Sequence, residues 1–86
     1  MTYYLVERYL PSLSGLEVEA AVARVSGSAM PRHLWTVAIH DEETCLSLFE
    51  AVDADAVESA NRAARFPFDR VIEAALIDGA PPNGAR

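Results

Sequence analysis

Four stretches of the chain alternate apolar and polar residues with a period of two, and two stretches between them place apolar residues at helical spacing. The first alternating stretch, Thr2 to Leu10, is rich in Tyr, Leu and Val and closes at Pro11, which predicts a strand. "LSGLEVEAAVARVSG" then predicts a helix. Ser14 and Glu17 stand at capping-box spacing, Leu13 and Val18 at the positions of a hydrophobic staple, and Gly27 follows as a terminator. Its apolar stripe reads Leu16, Ala20 and Ala23, with Val18, Val22 and Val25 alongside.

A second strand, His33 to His40, turns through Asp41, Glu42 and Glu43 into a third, Thr44 to Ala51. Asp53 or Asp55 caps a second helix. Val57, Ala60 and Ala64 give it a narrow apolar stripe, Glu58 and Arg62 an i,i+4 ion pair, and Pro67 its end. "DRVIEAALI" supplies the fourth strand. Residues 1–77 thus form one domain, and residues 78–86, rich in Gly, Pro and small residues, read as a flexible tail.

The order β-α-β-β-α-β predicts an α+β, ferredoxin-like fold: a four-stranded antiparallel sheet with both helices on one face. The other face is left open. With the hairpin turning at Glu42 and Glu43, His40 falls opposite Cys45, Val37 opposite Leu48 and Trp35 opposite Glu50. Alternation then puts Trp35, Val37, Ile39, Leu46, Leu48 and Glu50 on the open face. Leu34, Thr36, Ala38, His40, Cys45, Ser47, Phe49 and Ala51 lie under the helices. Tyr3, Leu5, Glu7 and Tyr9 join the open face by the same rule, with Glu73 of the fourth strand as a further candidate.

An open apolar face of this size predicts association, and two such sheets packed face to face make a dimeric α+β barrel with a cavity between them. A chain of 86 residues buries only roughly 60–65% of its unfolded surface, so a homodimer also adds needed burial. The cavity would be lined by Tyr3, Glu7, Trp35, Glu50 and Glu73. Each carboxylate there has two readings: a desolvated general base or cation ligand, or half of an ion pair with an arginine such as Arg8 or Arg70. His40 with Cys45, beside Asp41, is the one cluster of soft or borderline metal ligands, and it is two or three donors where zinc takes four. His33 reads as a solvated or rim residue.

Composition narrows the partners. Apolar content of 51% with 23% charged residues is that of a globular protein. A net charge of −6 repels phosphate backbones and anionic lipid, which argues against nucleic acid. No segment approaches the roughly 20 apolar residues of a membrane span. The single cysteine excludes an intramolecular disulfide, and with no signal-like N-terminus it predicts a cytoplasmic location. Nucleophile-elbow, phosphate-loop, HExxH and CxxC patterns do not occur.

"YLVERYLP" in the first strand, "LFEA" in the third and "ANRAARFPFDRVIEA" from the second helix into the fourth strand resemble the small bacterial family called domain of unknown function 4242, over roughly residues 3 to 77. The resemblance implies a ferredoxin-like dimer and, for some members, nickel binding. Glu7, Trp35 and Glu50 match the pattern. The family's histidine two residues after the Trp and cysteine two residues before the aromatic-Glu-Ala motif are replaced here by Val37 and Ser47. The expectation is therefore a homodimeric protein binding a small ligand or a metal ion such as nickel. The alternatives are a cofactor-independent oxygenase or isomerase using a cavity carboxylate, and a structural protein with no ligand.

Overall fold

A computed structural model describes residues 1–77. The tail expected over 78–86 lies outside them. β1 (Thr2–Tyr9), α1 (Gly15–Val25), β2 (Arg32–Ile39), β3 (Thr44–Ala51), α2 (Ala54–Ala63) and β4 (Arg70–Ala74) follow in that order. The strands form one antiparallel sheet in the order β2-β3-β1-β4, the ferredoxin-like arrangement. Both helices lie on the same face.

Each helix starts where its capping chemistry allows. The Ser14 hydroxyl accepts from the Glu17 backbone N–H, and the Glu17 carboxylate accepts from the Ser14 N–H at 2.8 Å, so the capping box closes. Asp53, not Asp55, caps α2 by accepting from the Ala56 N–H at 2.9 Å. The face α1 buries differs from the expected stripe. Ala21 and Val25 are buried, Val18 and Val22 pack beside them, and Leu16, Ala20 and Ala23 are exposed. Val18, Ala21, Val22 and Val25 keep the i, i+3, i+4, i+7 spacing, so the helix is rotated toward its β-branched row. In α2 the buried pair is Val57 and Asn61. The core joins them to Tyr4, Val6, Cys45, Phe49, Ala51, Ala64 and Phe66.

The hairpin register is shifted by two residues from the expectation. Val37 pairs with Leu46, Trp35 with Leu48 and Ala38 with Cys45, because His40–Glu42 form a 3-10 turn that Glu43 ends in the left-handed conformation, φ 52°. A four-residue loop therefore replaces a two-residue turn. A shift of two keeps every side chain on its expected face. Farther along, a bulge between His33 and Trp35 adds one residue to β2, and Arg32 comes opposite Glu50. Leu34, the added residue, is buried. The bulge reverses the alternation: His33 turns toward the helices while Trp35 stays on the open face.

Candidate functional site

The pairing register builds the open face row by row. Trp35, Leu48, Leu5 and Ile72 stand side by side across all four strands, from β2 to β4. On one side of that row lie Arg32, Glu50, Tyr3 and Ala74; on the other lie Val37, Leu46, Glu7 and Arg70. Val37 and Ile39 are 46% and 39% exposed. Leu48, between Trp35 and Leu5, is nearly covered. The face is an apolar band with one charged pair at each end of a diagonal.

Those pairs decide the state of the carboxylates. Glu50 Oε1 accepts from Arg32 Nη2 at 3.0 Å and from Nε at 3.2 Å. Glu7 Oε1 accepts from Arg70 Nε at 2.7 Å, and this contact raises the pKa of the exposed Arg70 guanidinium. Both carboxylates are thus half of an ion pair, the second of the two expected roles. Arg70 supplies one partner; Arg8 does not, because it points into the core. Glu73 pairs with Tyr4, whose side chain is buried under the helices, so the register separates Glu73 from the open face. The structure brings together Tyr3, Glu50 and Trp35 in neighbouring rows, with Glu7 beyond Leu5.

The metal candidates fare differently from the expectation. Cys45 is buried opposite Ala38, while His40 is exposed at the start of the 3-10 turn. Both nevertheless line one cleft of about 300 Å³ between the N-terminus of α1 and the hairpin end, with Leu10, Leu13, Val18 and Ile39. Burial raises the Cys45 thiol pKa, and the nearby Arg8 guanidinium opposes that only in part. Among the described residues no three of His, Cys, Asp or Glu converge on a point where a metal ion would sit. The donor set does not fit nickel, which wants imidazole or thiolate in number.

The inner face holds what the sequence reading missed. Arg8, opposite Cys45, is 1% exposed. Its Nη2 donates to Ser47 Oγ at 2.7 Å, its Nη1 to the Pro67 carbonyl at 3.2 Å and the Phe66 carbonyl at 3.5 Å, and its guanidinium lies 3.4 Å over the Phe66 ring. No carboxylate neutralises it among the described residues, and its Nε lacks an acceptor. Desolvation accordingly lowers the Arg8 pKa to about 10. Ser47 Oγ lies 2.8 Å from Thr36 Oγ1, which lies 2.7 Å from His33 Nε2. His33 packs edge-on against Phe49 at 5.3 Å, and burial first, then the Arg8 charge, lowers its pKa. It is half-buried at the edge of the sheet, where it ends a relay of hydrogen bonds that starts at buried Arg8.

The strict alternation of β1 could have flagged Arg8, since it falls between Val6 and the chain's turn on the inner parity. His33 carried no such signal, because the bulge that turns it inward leaves no mark in the residue pattern. No described helix is long and apolar enough to cross a membrane. Compared with family models, with curated proteins and with solved structures, the chain matches none.

Proposed function

We propose that this chain works as a homodimeric binding protein, two copies packing their open sheet faces into an α+β barrel that holds a small, largely apolar ligand between Tyr3, Trp35 and the flanking ion pairs. The observation that carries it is the uninterrupted apolar row Trp35, Leu48, Leu5, Ile72 on a sheet face that no helix covers among the described residues. Four strands at ~4.8 Å and eight residues at ~3.3 Å give a face of roughly 19 by 26 Å. That projection, roughly 500 Å² before side-chain relief, is at the small end of stable interfaces. Membership of the 4242 family belongs to the same proposal and rests on the motifs "YLVERYLP" and "LFEA".

Arg-paired Glu7 and Glu50 favour binding over general-base chemistry, since a base must first be freed from its guanidinium. They also disfavour a metal as the occupant. Sedimentation velocity at micromolar concentration tests the premise: a species of twice 9.3 kDa is expected. Leu5→Glu, which sets a carboxylate in the middle of the row, is expected to give a folded monomer. A wild-type monomer throughout that range refutes the reading.

A further inference from the structure

We infer that His33 is a proton sensor that couples the buried Arg8–Ser47–Thr36 relay to the open face, through the bulge that presents Trp35. The argument begins with the direction of the hydrogen bonds. Arg8 Nη2 can only donate, so Ser47 Oγ accepts from it. The Ser47 hydroxyl is then free to donate to Thr36, and the Thr36 hydroxyl to an unprotonated His33 Nε2. Both hydroxyl hydrogens of the relay then have an acceptor.

Protonation disrupts this order. With a hydrogen on Nε2, His33 donates to Thr36, whose oxygen then accepts from His33 and Ser47 together. The Thr36 hydroxyl hydrogen loses the acceptor it had, in a residue that is half-buried. A second cation also joins Arg8 on the inner face. No neighbouring charge offsets it: β3 contributes Phe49 and Ser47, and Arg24 of α1 is turned to the Ala64 and Arg65 carbonyls. The acidic end of α2 is exposed, with Asp53 committed to the Ala56 N–H, and Arg32 and Glu50 pair on the opposite face.

Relief is available in one direction. β2 is an edge strand and His33 is half-buried, so the charged ring reaches water by swinging out at the bulge. That movement breaks the contact with Thr36 and bends the strand at the bulge that sets the direction of Trp35, the largest side chain of the apolar row. Burial and Arg8 both hold His33 below its ordinary pKa near 6.5, so the neutral ring predominates at pH 7. The unfolded chain takes up the proton first as pH falls, and folded-state stability is lost below about pH 6.5.

The effect on association rests on the dimer proposed above; the effect on Trp35 does not. The experiment follows Trp35 emission and sedimentation of the full chain between pH 8 and 4.5, in the wild type and in His33→Gln, whose neutral amide still accepts from Thr36. The wild type is expected to show an emission transition with loss of the dimer on acidification, and His33→Gln to show neither. Proton NMR of the two histidine rings supplies a readout free of mutation: His33 is expected to titrate below its ordinary value, in step with Trp35. Emission that stays flat, a transition that survives in His33→Gln, or a His33 that titrates as a solvent-exposed ring overturns the sensor and leaves the dimer standing. A transition in a protein that is monomeric at every pH supports the sensor and removes the dimer.

Discussion

Arg8→Ala and Arg8→Met together separate what the buried guanidinium contributes by packing from what it contributes by charge. Truncation to Ala removes a side chain that is 1% exposed and stacked 3.4 Å over Phe66, leaving a void between sheet and helices. Losing that packing costs about 2–3 kcal/mol. The Pro67 carbonyl also loses its donor, at about 1 kcal/mol or more. Against this stands the relief of a buried cation with no carboxylate and an unpartnered Nε, a favourable change of similar size to one hydrogen bond. The net expectation for Ala is a loss of about 3 kcal/mol. Met keeps most of the stem volume and puts a thioether against Phe66, so it is expected within about 1 kcal/mol of the wild type. An 86-residue domain has about 4–13 kcal/mol in total, so the Ala variant should sit near the edge of folding. Urea titration followed by far-UV circular dichroism and Trp35 emission, at one fixed protein concentration, measures both. With a slope of about 1–1.5 kcal/mol/M the Ala midpoint falls by about 2–3 M and the Met midpoint by less than about 1 M. Equal losses in the two variants refute the reasoning, because they would show that the fork of hydrogen bonds, and not the packing, holds the Phe66–Pro67 segment to β1.

Glu50→Gln is expected to change stability by less than about 1 kcal/mol, because its partner Arg32 is half exposed and the pair is screened; repeating the denaturation in 0.5 M salt should shrink even that difference. Cys45, buried with a raised pKa, is expected to react with a thiol reagent at pH 8 far more slowly in the native protein than in urea. Its unfolded form loses the proton first, so stability holds below pH 8.5–9 and declines as pH rises through the higher native value, which denaturation at pH 8 and 10 would detect.

Parity made the fold legible and local geometry hid the rest. Alternation in β1 and β3, capping boxes and the strand-helix order determine which residues face the helices, and a hairpin displaced by two residues leaves that assignment intact. The displacement itself depended on Glu43 adopting a left-handed conformation, which glutamate has no intrinsic preference for. The rotation of α1 was equally hidden: Leu16 and Val18 are both apolar, and only the presence of α2 beside the sheet selects the valine side. At the candidate site, Trp35, Glu50, Tyr3 and Glu7 were readable as one face, and Arg70 was among the arginines named for the carboxylates, but Arg32 was not. Arg32 reaches Glu50 only because the bulge shifts the pairing. Glu73 was misassigned for the simplest reason, an uncertain starting residue for a five-residue strand.

The inner face of this sheet mixes polar groups into its apolar core, while the outer face carries an apolar band between two ion pairs. Under the helices, where a small domain ordinarily concentrates aliphatic side chains, the chain buries Arg8, Ser47 and Asn61 and half-buries His33 and Thr36. On the face turned outward it places Trp35, Val37, Leu46, Leu5 and Ile72. Buried polar groups contribute little net, and open apolar area contributes nothing to the stability of the isolated chain. Removing the outward face from water would add apolar burial that the described chain by itself does not have. The arrangement also leaves the inner face with the groups that can report protonation, separated from the apolar row by the thickness of one strand. The bulge between His33 and Trp35 puts two residues of like parity on opposite faces, which is why association and proton uptake should be measured on the same sample.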